Sequence, residues 1–145
     1  MNRADNASCL ATHLAAERRL DMEATLATLH PDCVFVDEPL GLRLEGREGA
    51  RRHYELWWSA FGATPEDGRI HWVDDDLLVG EATFVGTHRG HFAGLAPTDR
   101  PIRLPFVVFV DFRDGMLAGE RFVYDLNTLL RQLDQPAFEP TVARR

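Results

Sequence analysis

The chain has 145 residues, 45% of them hydrophobic, which suits one domain with one core and leaves little material for a second. All 16 basic residues are arginine, so there is no lysine amine for Schiff-base or pyridoxal phosphate chemistry, and a formal net charge of -7 without a basic stripe argues against nucleic acid. No window is long and apolar enough to span a membrane and the start lacks a basic stretch followed by an apolar run, so the expectation is a cytoplasmic protein with no membrane partner.

From Asp5 to Arg19, Leu10, His13, Leu14 and the alanines recur at helical spacing, and Asp21 reads as the N-cap of a second short helix ending near Leu29. His30-Pro31-Asp32 breaks that helix, and Cys33 to Val36 reads as a strand that leads into a loop with Pro39, Gly41 and Gly46. Between Arg47 and Phe61 the helical pattern returns, with Ala50, Tyr54, Trp57 and Phe61 on one face. Four strands are then predicted, over Arg69–Val79, Glu81–Phe92, Ile102–Phe112 and Met116–Tyr124, with tight turns at Gly80 and at Asp114-Gly115. The connection from Gly94 to Pro101 reads as a lip at one end of the sheet. A short amphipathic helix follows Asp125. Residues 1–135 form the expected domain, and 136–145 a loosely ordered tail. Helices first and strands later indicate an α+β fold.

Strand parity places His88 on the apolar side of its strand with Phe84 and Phe92. In the last strand both sides look half-buried: Leu117, Gly119, Arg121, Val123 and Asp125 share one, Glu120, Phe122 and Tyr124 the other. A sheet covered by helices on one face needs cover on the other, and a second copy of the chain is the expected cover.

Asp125 ends a largely apolar strand. It reads either as the cap of the next helix or as a carboxylate facing a cavity, where poor solvation would raise its pKa and suit it to proton abstraction. Arg121, four residues earlier on the same side, is either a surface arginine or a cation that binds a substrate oxygen. His88 is either a satisfied core histidine or a donor to a developing enolate. Tyr54, Trp57, Trp58 and Phe106 belong to an aromatic concentration that builds either core or a pocket for a flat apolar ligand. Asp37 and the run Asp74-Asp75-Asp76 read as solvated turn residues, with Asp37 the one further carboxylate near a cavity mouth. No metal site is expected: His88 and His91 point to opposite faces of a strand, and Cys9 and Cys33 lack zinc or redox spacing.

The segments Gly86 to Thr98 (GTHRGHFAGLAPT) and Glu120 to Asp125 (ERFVYD), followed by Leu129-Leu130-Arg131-Gln132-Leu133, resemble the SnoaL-like polyketide cyclase or ester cyclase family of the nuclear transport factor 2-like superfamily. The resemblance implies a conical barrel-like fold: a curved antiparallel sheet wrapped around N-terminal helices, a pocket between them, and often a dimer. It also implies an aldol cyclisation without a cofactor, with the acid at Asp125 as base and His88 lining the pocket. Arg121 stands where the family often has tryptophan, and Asp134 where its QLG ending has glycine. The expected activity is proton abstraction alpha to a carbonyl of a small apolar ligand. The alternatives are a non-catalytic binding protein of the same fold, or isomerase or epoxide-hydrolase chemistry in which Asp37 holds the water.

Overall fold

A computed structural model describes residues 2–142. The elements run α1 (Arg3–Arg18), α2 (Met22–Ala27), β1 (Leu29–Asp37), β2 (Leu42–Glu45), α3 (Gly46–Phe61), β3 (Thr64–Trp72), β4 (Leu77–Thr87), β5 (Pro101–Arg113), β6 (Met116–Tyr124) and α4 (Leu126–Gln132). The α+β class is borne out.

Local chemistry sets the helix ends. Asn2 opens α1 with a capping box, its side chain accepting from the Asp5 N–H while the Asp5 carboxylate takes the Asn2 N–H. Asn6, Leu10, His13 and Ala16 then form one buried stripe along α1. Asp21 caps α2 as expected, and α3 ends at Gly62, whose φ of 55° fits the left-handed conformation that glycine adopts without strain.

One curved, unclosed sheet has the order β2-β1-β6-β5-β4-β3. All neighbours are antiparallel except β1 and β6, which run parallel, so the sheet is mixed rather than wholly antiparallel. The helices pack on its inner face around Phe35, Tyr54, Trp57, Leu104 and Phe122.

Three sequence expectations shift. Gly80 is not a turn but lies inside β4, where a Cβ would stand 3.2 Å from Val108 Cγ1, and the chain turns instead at the exposed Asp74-Asp75-Asp76. His30-Pro31-Asp32 belongs to a long β1 rather than ending a segment. In β6, Asp111 pairs with Gly119 and Phe112 with Leu117, so Ala118 is an extra residue that resets the alternation. Leu117 is therefore buried, but so are Glu120, Phe122 and Tyr124, while Arg121, Val123 and Asp125 are exposed.

Residues 136–142 form no helix or strand, and 143–145 of the expected tail lie outside the described residues. Cys9 and Cys33 are free thiols, half-buried and buried. No described helix is long and apolar enough to cross a membrane.

Candidate functional site

A cavity of about 230 Å³ lies between α1 and the inner face of β4, β5 and β6. Its walls are apolar: Leu10 and Leu14 from α1, Leu78 and Phe84 from β4, Phe106 and Val110 from β5, Phe122 from β6. Phe84 and Phe106 stack with ring centres 3.9 Å apart. Exposed Arg18, Asp67, Arg69 and Glu81 form its rim.

One part of this wall is ionisable. His13 and Glu17 are four apart on α1 and share a helix face, and Glu120 reaches them from β6. His13 Nε2 lies 2.9 Å from Glu17 Oε1, 3.1 Å from Glu120 Oε1 and 3.2 Å from the Tyr54 hydroxyl. The other ring nitrogen fixes the proton count. Thr28 donates its hydroxyl hydrogen to the Thr25 carbonyl at 2.7 Å, so Thr28 Oγ1 accepts from His13 Nδ1–H, also at 2.7 Å. Nδ1 is thus a donor. With two carboxylates facing Nε2, that nitrogen also carries a proton and the ring is an imidazolium.

Burial opposes this charge, but the Glu17 carboxylate and the hydrogen bonds to Glu120 and Glu17 outweigh it and push the His13 pKa up to about 10. Burial raises the Glu120 pKa, against the opposing hydrogen bond from His13. Desolvation likewise raises that of Tyr54, with the nearby carboxylates adding to it. Only Glu120 Oε1 is hydrogen-bonded; Oε2 has no partner among the described residues, although the side chain is 6% exposed and lines the cavity.

A second polar centre lies nearby. Asp37, fully buried, accepts from His53 Nε2 (2.9 Å), Trp57 Nε1 (3.1 Å), the Tyr124 hydroxyl (2.7 Å) and the Leu40 N–H (3.3 Å). These bonds tie β1 to α3 and β6. Four donors on one carboxylate leave little capacity to hold a water, and Asp37 does not line the cavity. It is neither the solvated turn residue expected nor placed for epoxide hydrolysis.

The other expected site residues separate in space. Asp125 is exposed and caps α4, accepting from the Asn127 N–H at 3.0 Å and the Thr128 hydroxyl at 2.7 Å, with Arg131 at 3.7 Å. The Thr128 bond leads in holding its pKa below the ordinary carboxylate value, the opposite of a desolvated base. Of the two sequence readings, the cap describes its contacts. Arg121 is on the outer face, its guanidinium carbon 4.0 Å from the centre of the Phe109 ring. His88 is fully buried against Phe61, its Nδ1 accepting from the Thr98 N–H and its Nε2 without a partner among the described residues, and it does not line the cavity. Trp57 is bound to Asp37, and half-buried Trp58 packs on Tyr54. Of the expected set, Phe106 lines the cavity and Tyr54 stands behind its ionisable part.

The residues not singled out as a site are His13, Glu17 and Glu120. Their signal was present: a histidine and a glutamate four apart beside Leu10 and Leu14, and a glutamate sharing a strand side with Phe122 and Tyr124.

The fold recurs among solved structures. A proposed polyketide cyclase from Xanthomonas campestris pv. campestris superposes with a TM-score of 0.82 at 23% identity, over 92% of this chain and 99% of that one. A phenazine biosynthesis-related protein from Pseudomonas aeruginosa gives 0.76 at 16% identity, over 98% and 92%. A protein with a ketosteroid isomerase-like fold from Catenulispora acidiphila, solved with trimethylamine, gives 0.74 at 19% identity, over 91% and 97%. At these identities the likeness establishes the fold alone. No curated protein matches the sequence. The sequence profile of the SnoaL-like polyketide cyclases matches residues 8–133, nearly the whole chain, and the protein belongs to that family.

Proposed function

We propose that the protein is a cofactor-independent enzyme that removes a proton alpha to a carbonyl of a small apolar ligand, with Glu120 rather than Asp125 as the base. The observation that carries this is the free Oε2 of a buried Glu120 on the wall of an apolar cavity. Oε2 takes the proton, and the electron pair of the broken C–H bond moves onto the carbonyl oxygen. The His13 imidazolium, bound through Nε2–H to the glutamates and held by Thr28 through Nδ1, supplies positive charge beside the developing enolate. Excluding water strengthens both interactions. At about 230 Å³ the cavity falls just short of the roughly 300–1,000 Å³ of common ligand clefts, which favours a compact substrate over an extended polyketide.

The test is α-proton exchange in D2O with small aryl ketones and β-dicarbonyls, followed by NMR. Wild type should exceed buffer, and Glu120→Gln should lose about 10²–10⁴ of the rate. A Glu120→Gln protein exchanging at the wild-type rate refutes the assignment. Binding of the same compounds without exchange would make the protein a ligand carrier of this fold.

The outer sheet face presents Val34, Val36, Val107, Phe109 and the 39% exposed Val123, which supports pairing with a second copy; sedimentation measures it directly. The proposed setting is the cytoplasm.

A further inference from the structure

We propose that His13, Glu17 and Glu120 form a divalent-metal site that opens on the cavity. One ligand atom from each of the three lies within 4.8 Å of the other two, and the two distances from His13 Nε2 are 2.9 and 3.1 Å. An ion with bonds of about 2.0–2.2 Å sets its ligands about 3.0 Å apart at right angles and about 3.4 Å apart in a tetrahedron. The two edges from His13 already have about these lengths, and drawing the two glutamates together across the third, at most 4.8 Å, brings all three onto one ion.

Charge balance points the same way. Two carboxylates and one imidazolium sum to -1 in a place where uncompensated charge is costly. Replacing the Nε2 proton by a dication makes the group neutral. The exchange is balanced: Nε2 loses its proton to solvent, its lone pair binds the ion, and each glutamate binds through Oε1.

Two further features support it. Thr28 fixes Nδ1 as the protonated nitrogen, the outer-shell arrangement that orients a ligating histidine and presents Nε2 to a metal. The unpartnered Oε2 of buried Glu120 supplies one more donor atom at the cavity side, where the ion keeps an open position. One imidazole with two carboxylates suits zinc, manganese or ferrous ions. With an ion bound, Glu120 is no longer free to take a proton, so metal and the proposed base reaction exclude each other.

The test uses the whole chain, after treatment with a chelator, and titrates it with zinc chloride and manganese chloride. Calorimetry should show binding of one ion per chain. Bound manganese should change the electron paramagnetic resonance signal. Glu17→Gln, whose side chain is 15% exposed in the wild type, and Thr28→Val should each weaken binding by more than about tenfold with circular dichroism unchanged. No heat at millimolar ion, or undiminished affinity in folded Glu17→Gln, would each overturn the proposal. None of these results depends on α-proton exchange, which is measured in chelator.

Discussion

Replacing Asp37 by Asn keeps shape and volume but removes the charge on which three side-chain donors and one backbone N–H converge. The amide offers one acceptor atom in place of two. Its NH2 then faces either the Leu40 N–H and Tyr124 or the pair His53 and Trp57, so at least one buried donor loses its acceptor. Hydrogen bonds to a charged group contribute about 1.5–3 kcal/mol each, and removing one member of a buried ionic group costs about 3–5 kcal/mol. The expected loss is therefore about 3–5 kcal/mol, a large share of the roughly 5–15 kcal/mol typical of a domain. At roughly 3–4 °C per kcal/mol for a chain of this size, the melting temperature falls by about 10–20 °C. Urea unfolding followed by tryptophan fluorescence is the assay, because Trp57 is one of the donors. A loss below about 1 kcal/mol would show that the network contributes little and that the reasoning fails.

Asp125→Asn should leave α-proton exchange at the wild-type rate, and a collapse of the rate would return the base role to Asp125. Because its folded pKa is depressed, the contribution of Asp125 to stability is present above the unfolded carboxylate value of 3.8 and lost as pH falls through the folded one; Asp125→Ala and wild type should converge in acid urea melts. The His88 pKa is lowered below 6.5 by burial, so its neutral form is favoured in the fold and stability falls as pH drops from 6.5 through the folded value. His88→Leu should flatten that limb of the stability profile, and an unchanged limb would refute the assignment. Gly86→Ala should destabilise by about 3 kcal/mol, because its Cβ would lie 2.5 Å from the Phe61 carbonyl oxygen, and a neutral result in thermal melts would contradict that packing.

Much of the fold was readable from periodicity and turn chemistry. The apolar faces of α1 and α3, the hairpin at Asp114-Gly115 and the cap at Asp21 follow from local pattern and stand in the structure. Gly80 misled because glycine serves both turns and close approaches between strands, and only the position of Val108 distinguishes them. The site was less legible. Parity counted backward from Asp125 assigns the right neighbours locally, but one extra residue at Ala118 resets the alternation, and nothing in the composition of Met116 to Gly119 announces it. Asp37 looked like a turn residue because three of its four donors come from α3 and β6, 16 to 87 positions away, and only the Leu40 N–H is local. The group of His13, Glu17 and Glu120 was half legible: the helix spacing of the first two is local, whereas their meeting with Glu120 spans 107 positions.

That span bears on how the protein is made. β1 finds its parallel neighbour only when β6 exists, and the imidazole of His13 gains its Glu120 counterion at the same late moment. At a synthesis rate of about 5–20 residues per second, the nascent helix waits roughly 5–20 seconds on the ribosome with an incomplete set of partners. Until then the aromatic rings of α3 also lack much of the sheet they will cover. This segment thus gains its final cover only late in synthesis, and the last strand acts as the latch that closes it.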